Sequence, residues 1–92
     1  MFDASHRDTG TMVEAKGTGY AAMLAKGQPC IGWVLADWLG QAKNQTSAAE
    51  AQGRPVVWFF AEESAAEAAN ALFELNRLHI TVIYMPMSGA KP

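Results

Sequence analysis

Glu14 and Lys16 stand two residues apart in the short run Met12-Val13-Glu14-Ala15-Lys16-Gly17. In a β-strand, residues i and i+2 project to one face, so the carboxylate and the ammonium share a side while Val13 and Ala15 take the other. Ionisable groups on an otherwise apolar strand are destabilising when buried without partners. Metal-assisted phosphodiester hydrolysis has work for both: the carboxylate holds a divalent cation, and the ammonium orients the attacking water or neutralises charge on the phosphate. The alternative is a solvated strand face carrying a surface ion pair, which contributes only ~0–1 kcal/mol. A further carboxylate lies upstream. Residues 1–4 read as a strand, residues 5–10 (SHRDTG) as turn chemistry, and residues 11–16 as the return strand. In a hairpin centred near Asp8-Thr9, Asp3 falls roughly opposite Glu14, at a Cβ separation of ~4.5–5.5 Å. Two carboxylates so opposed repel unless a cation sits between them.

The elements that must position these groups follow in order. Gly17-Thr18-Gly19 breaks the strand; it is no phosphate loop, because the lysine precedes the glycines and no Gly-Lys-Ser/Thr follows. Residues 20–26 read as a short helical turn ended by Gly27, with Pro29 opening the next element. Residues 31–51 form the long helix, its apolar set Val34, Leu35, Trp38, Leu39 and Ala42 recurring at three- and four-residue spacing, with Gly40 a modest weakness. Gln41 and Gln45 lie one turn apart on one face, with Asp37 a turn earlier; such a row reads as a solvated polar face or as a functional pair. Gly53 ends the helix. Residues 56–61 (VVWFFA) are continuous β-formers, as in a central strand covered on both faces. Trp58 and Phe59 read as core rather than as a base-stacking platform. Residues 62–78 are an amphipathic helix with Ala66, Ala69, Leu72, Phe73 and Leu75 inward. Residues 79–85 (HITVIYM) are the last strand, stopped by Pro86, and residues 88–92 are a fraying tail. The final strand–helix–strand unit implies parallel neighbours and a right-handed crossover, giving a mixed sheet with helices packed on it.

Composition bounds the rest. Ninety-two residues make one small domain, and with half of them apolar and 17% charged the chain is a folder. The lone Cys30 excludes an internal disulfide framework and a Cys-rich zinc site, and reads as a small buried hydrophobe at a helix start. No apolar run approaches a membrane span and no signal peptide opens the chain. A formal charge of −2 gives no broad footprint for nucleic acid. Contact with DNA or RNA would have to run through a metal and the local basic groups Arg7, Lys16, Lys26, Lys43, Arg54 and Arg77. His6 and His79 have no zinc-ligand spacing, and neither Ser64 nor Ser88 sits in a nucleophile elbow.

A hairpin bearing Asp and then Glu-x-Lys, followed by a helix and further strands, resembles the PD-(D/E)xK nuclease core. The likeness extends to Val13-Glu14-Ala15-Lys16-Gly17-x-Gly19-Tyr20, to Gln41-Ala42-x-x-Gln45, to Gly53-Arg54-Pro55-Val56-x-Trp58 and Phe60-Ala61-Glu62, and to Ile80-Thr81-Val82. In that order these resemble the fifth restriction-endonuclease-fold toxin family (Tox-REase). Its domains sit at the C-terminus of bacterial polymorphic toxins, many of them type VI secretion effectors. The resemblance runs along nearly the whole chain, and the joint pattern is far more specific than any one motif.

The resemblance implies an α/β restriction-endonuclease-like fold: a mixed sheet flanked by helices, without the family's N-terminal helix. The whole chain, 1–92, would be one nuclease toxin domain, the C-terminal piece of a longer effector. It also implies that Asp3 and Glu14 are metal ligands with the Ala15 carbonyl completing the site. Lys16 would position the water and stabilise charge on the phosphoryl oxygens, and Gln41 and Gln45 would fall on the family's glutamine pair. Lys43 would assist Lys16 in holding substrate. The expected cation is Mg²⁺ or Mn²⁺, since hard oxygen ligands suit either. Val57 and Phe59 stand where the family often has polar residues, which argues against a part for that strand in the chemistry. The implied activity is a metal-dependent endonuclease acting on DNA, with RNA as the alternative substrate, in the cytoplasm of a bacterium into which it is delivered. The implied partners are a cognate immunity protein and a second copy of the domain, with no membrane insertion. A reading of another class stands beside this one: an inactive or truncated toxin domain that only binds its immunity partner.

Overall fold

The computed structural model describes residues 10–86. The expected first strand of the hairpin, and with it Asp3, lies outside the described residues. The elements are β1 (Met12–Lys16), α1 (Tyr20–Ala25), α2 (Cys30–Gln52), β2 (Val56–Phe60), α3 (Glu63–Leu75) and β3 (Thr81–Tyr84). Over the described residues the helix and strand positions expected from periodicity hold to within one residue, with two boundaries moved further. α3 ends at Leu75 rather than residue 78, because Arg77 adopts a left-handed backbone (φ 57°) that a helix cannot continue through. The last strand begins at Thr81 rather than His79.

Among the described residues the sheet is three-stranded, in the order β1-β2-β3, and both pairings are parallel. Glu14 stands beside Trp58 and Lys16 beside Phe60; on the other side of β2, Trp58 pairs with Val82. The antiparallel strand expected at residues 1–4, which would make it mixed, lies outside them. The topology explains one correction. Right-handed crossovers that step in the same direction across a sheet place both crossover helices on one face. α2 and α3 accordingly cover the face bearing Val56, Trp58 and Phe60, all buried, while Val57 and Phe59 on the other face are half-exposed. The run of apolar residues thus belongs to a strand buried on alternate positions, not on both faces.

The core lies between that face and the helices. Trp38 from α2 meets Phe60 edge-on at 5.2 Å, and Trp58 meets Phe73 of α3 edge-on at 5.0 Å. Each such ring contributes about 1.5–3 kcal/mol by leaving water, with edge-to-face geometry adding to it. α2 buries Val34, Trp38, Ala42, Thr46 and Ala49, extending the expected stripe by two turns. Leu35 and Leu39 are only half-buried. α3 buries Ala65, Ala66, Ala69 and Phe73, but Leu75, expected inward, is 82% exposed. Two residues past Phe73 is ~200° round a helix of 3.6 residues per turn, which turns Leu75 away from the sheet. Gly53 closes α2 in the left-handed conformation (φ 67°), as its position after the last polar turn predicts.

Candidate functional site

Alternation along β1 turns Glu14 and Lys16 toward the helices, the side on which the neighbouring Trp58 and Phe60 are buried. Lys16 is 7% exposed and the Glu14 side chain 27%. Their side chains meet at 3.1 Å between Nζ and Oε2. An ammonium that deep needs further partners. Lys16 Nζ donates to Gln41 Oε1 at 2.8 Å and lies 5.1 Å from the Trp58 ring centre and 5.9 Å from that of Tyr20. The other glutamine serves the carboxylate: Gln45 Nε2 donates to Glu14 Oε1 at 3.2 Å. The chain of bonds continues at both ends. Gln41 Nε2 donates to Asp37 Oδ2 at 2.7 Å, and Trp58 Nε1 donates to Gln45 Oε1 at 2.7 Å. Asp37, Gln41 and Gln45 recur every fourth residue of α2, so one helix edge supplies the whole polar row.

Tyr20 reaches this cluster from α1, a six-residue helix with no fully buried side chain. Its ring packs against Trp38 at 5.4 Å. The start of α1 has no side-chain cap of its own, because its N-cap is Gly19 at φ 107°. Glu62, at the turn between β2 and α3, supplies one from across the fold. Its carboxylate accepts the N–H of Ala21 at 2.8 Å and of Gly19 at 3.1 Å. The Ala21 N–H lowers the Glu62 carboxyl below the ordinary glutamate value; desolvation opposes it, and the Gly19 and Tyr20 N–H groups lower it further.

Of the residues singled out by sequence, four come together: Glu14, Lys16, Gln41 and Gln45. The Ala15 side chain faces the other side of the sheet, but its carbonyl is placed differently. Met12 N–H donates to Pro55 O and Lys16 O accepts from Ala61 N–H, so residues 12, 14 and 16 turn their main-chain groups to β2. Residues 13 and 15 then turn theirs to the opposite edge, where no described strand pairs. Asp3 lies outside the described residues. Lys43 is exposed and outside the bonded cluster; two residues from Gln41 and from Gln45, it points away from both. Tyr20, Trp58 and Glu62 belong to the site and were not assigned to it from sequence. Trp58 is core, as expected, but its strand also takes part in the site through the indole N–H. The register that sets Trp58 beside Glu14 was the missing information.

Among the described residues, no group of three or more His, Cys, Asp or Glu side chains gathers to hold a metal. The donors that do lie here, a carboxylate and a main-chain carbonyl on one strand, are hard oxygens, the type that Mg²⁺ and Mn²⁺ take. A pocket of about 280 Å³ adjoins Lys16 at the carboxyl ends of β1 and β2, walled by Phe59, Phe60 and Met85. Open parallel sheets bind ligands at that end of their strands. A cleft of about 740 Å³ opens at the other end, between Glu50, Arg54 and His79, away from the polar cluster. No helix among the described residues is long and apolar enough to cross a membrane. Comparison with protein-family models, curated proteins and solved structures finds no match to this chain.

Proposed function

We propose that the chain is a metal-dependent nuclease domain of the restriction-endonuclease-fold toxin type, hydrolysing phosphodiester bonds of DNA. The observation that carries this reading is the convergence of Glu14 and Lys16 with Gln41 and Gln45 in one bonded cluster. Those are four of the five residues that the resemblance assigns to catalysis, Asp3 lying outside the described residues, and they come from a strand and a helix more than twenty residues apart. The parallel strand–helix–strand unit that holds them supports the α/β class of the reading, and the finer restriction-endonuclease-like core is part of the proposal.

In this reading Glu14, the Ala15 carbonyl and Asp3 would hold Mg²⁺ or Mn²⁺. The cation, when bound, would supply Lewis-acid charge neutralisation and lower the pKa of a water. Lys16 presents a fixed positive charge where negative charge grows in the transition state, and the low exposure around it strengthens that field. Gln41 holds the ammonium and Gln45 the carboxylate in fixed positions. The toxin context supplies the remaining proposals: delivery as the C-terminal part of a secreted effector, action in the recipient cytoplasm, and silencing by a cognate immunity protein. Pairing with a second copy belongs to the same context.

One observation favours the second reading, a non-catalytic binding module. Both Glu14 oxygens already have protein partners, Lys16 and Gln45, as a purely structural polar cluster would. Supercoiled plasmid incubated with the full chain, with Mg²⁺ and separately with EDTA, decides between them. Nicking that requires the metal and disappears in Glu14→Ala and Lys16→Ala supports the nuclease. A folded protein that cuts neither plasmid nor RNA in Mg²⁺ or Mn²⁺ leaves the binding module.

A further inference from the structure

We infer that Glu62 is a positioning residue that latches α1 over Lys16 and so controls access to that ammonium. Three observations carry this. First, the segment leaving β1 is tied to the segment leaving β2 at successive points. Ala61 N–H donates to Lys16 O at 3.0 Å, and the Glu62 carboxylate takes the N–H groups of Gly19 and Ala21. Second, apart from Tyr20 and Leu24 packed against the core, α1 has little else to hold its first turn. It is six residues long, has no fully buried side chain, and starts at a glycine that offers no capping group. The first N–H groups of a helix are unsatisfied within it, and a carboxylate there both accepts them and complements the helix dipole. Third, the residue placed by that turn is Tyr20, whose ring covers Lys16 Nζ at 5.9 Å from one side while Trp58 covers it at 5.1 Å. Trp58 is immobilised at 0% exposure in the core, whereas Tyr20 sits on the short helix. Of the two rings over the ammonium, Tyr20 is therefore the one whose displacement uncovers Lys16, and Glu62 sets how often that happens.

The inference concerns the exposure of Lys16, not turnover, and goes beyond the nuclease reading. It is read by lysine chemistry without substrate or metal, so either can fail while the other stands. The full folded chain is treated with an amine-acylating reagent, and modification at Lys16 is followed by peptide mass spectrometry against Lys26 and Lys43, both exposed. In the wild type, Lys16 reacts far more slowly than the two reference lysines. Losing a capping interaction shifts a local equilibrium on the order of tenfold. Glu62→Ala is therefore expected to speed Lys16 acylation by roughly that factor, with Lys26 and Lys43 unchanged. Glu62→Gln, which keeps one acceptor, gives a smaller increase, and an increase in either variant that merely follows its loss of global stability in denaturant titration overturns the inference. An unchanged Lys16 rate in a folded Glu62→Ala protein overturns the inference. If that variant unfolds, Glu62→Gln decides by the same comparison. Global unfolding of both variants also overturns it, since Glu62 would then hold the whole domain and not α1.

Discussion

The indole N–H of Trp58 donates to Oε1 of Gln45 at 2.7 Å, and that bond settles which way the amide points. An indole nitrogen can only donate, so it must meet the amide oxygen, and the amide NH₂ is left to face Glu14. The same logic orients Gln41, whose oxygen takes the Lys16 ammonium and whose NH₂ goes to Asp37. Each glutamine thus acts as a polarity adaptor between a donor and a carboxylate. Deleting Gln45 therefore damages two bonds at once. Gln45→Ala strands the Trp58 N–H, buried at 0% exposure, and is expected to cost about 1–3 kcal/mol in chemical denaturation. In a double-mutant cycle with Trp58→Phe the two losses should be clearly sub-additive, by about 0.5–1.5 kcal/mol. Simple additivity would mean that the bond contributes nothing.

Trp38 supplies the contrast. It is as fully buried as Trp58, yet among the described residues its Nε1–H has no acceptor. Replacing either tryptophan by phenylalanine removes a similar volume from the same core. Only in Trp58 does the change also break a hydrogen bond, while in Trp38 it removes an unsatisfied donor. Trp38→Phe is thus expected to be the milder change, by about 1–3 kcal/mol in urea or guanidinium titrations. Equal destabilisation would show that packing alone governs both positions.

The ion pair is asymmetric in exposure, and stability should follow. Glu14 reaches water, whereas Lys16 is nearly enclosed and depends on its protein acceptors. Lys16→Met leaves a carboxylate that Gln45 and solvent still serve, and should cost under about 1 kcal/mol. Glu14→Gln leaves an enclosed ammonium with only neutral acceptors and should cost about 1–3 kcal/mol at neutral pH. The reverse order would mean that the helix edge, and not Glu14, is what holds Lys16 in place.

Glu62 fixes the sign of a pH dependence. Its carboxyl titrates lower in the folded chain than when unfolded, where a glutamate keeps its ordinary value. Its contribution is therefore fully present above that unfolded value and is lost as pH falls through the lower, folded one. Between pH ~5 and the acid limit, stability of the wild type should fall more steeply than that of Glu62→Gln, which carries no charge to titrate. Parallel pH profiles for the two proteins, by thermal melting monitored with circular dichroism, would remove Glu62 as the source.

The sequence by itself determined the elements and the pair of chemical groups. Period-two alternation put Glu14 and Lys16 on one face, and the i, i+4 spacing put Gln41 and Gln45 on one helix edge, because both periodicities are local properties of the backbone. Glycines at 27 and 53 marked helix ends for an equally local reason: both sit at positive φ. Only the tertiary structure decided that the helix edge faces the strand, since that depends on strand order and crossover hand. It also decided that both crossover helices share one face, which left Val57 and Phe59 half-exposed despite an unbroken apolar run. Trp58 joined the site through a register with a strand forty-four residues away in sequence, and Glu62 capped a helix that begins forty-two positions before it. No local pattern encodes such a contact, because a cap or a ring packed on an ammonium is defined by where two distant segments end, and packing of the core fixes that.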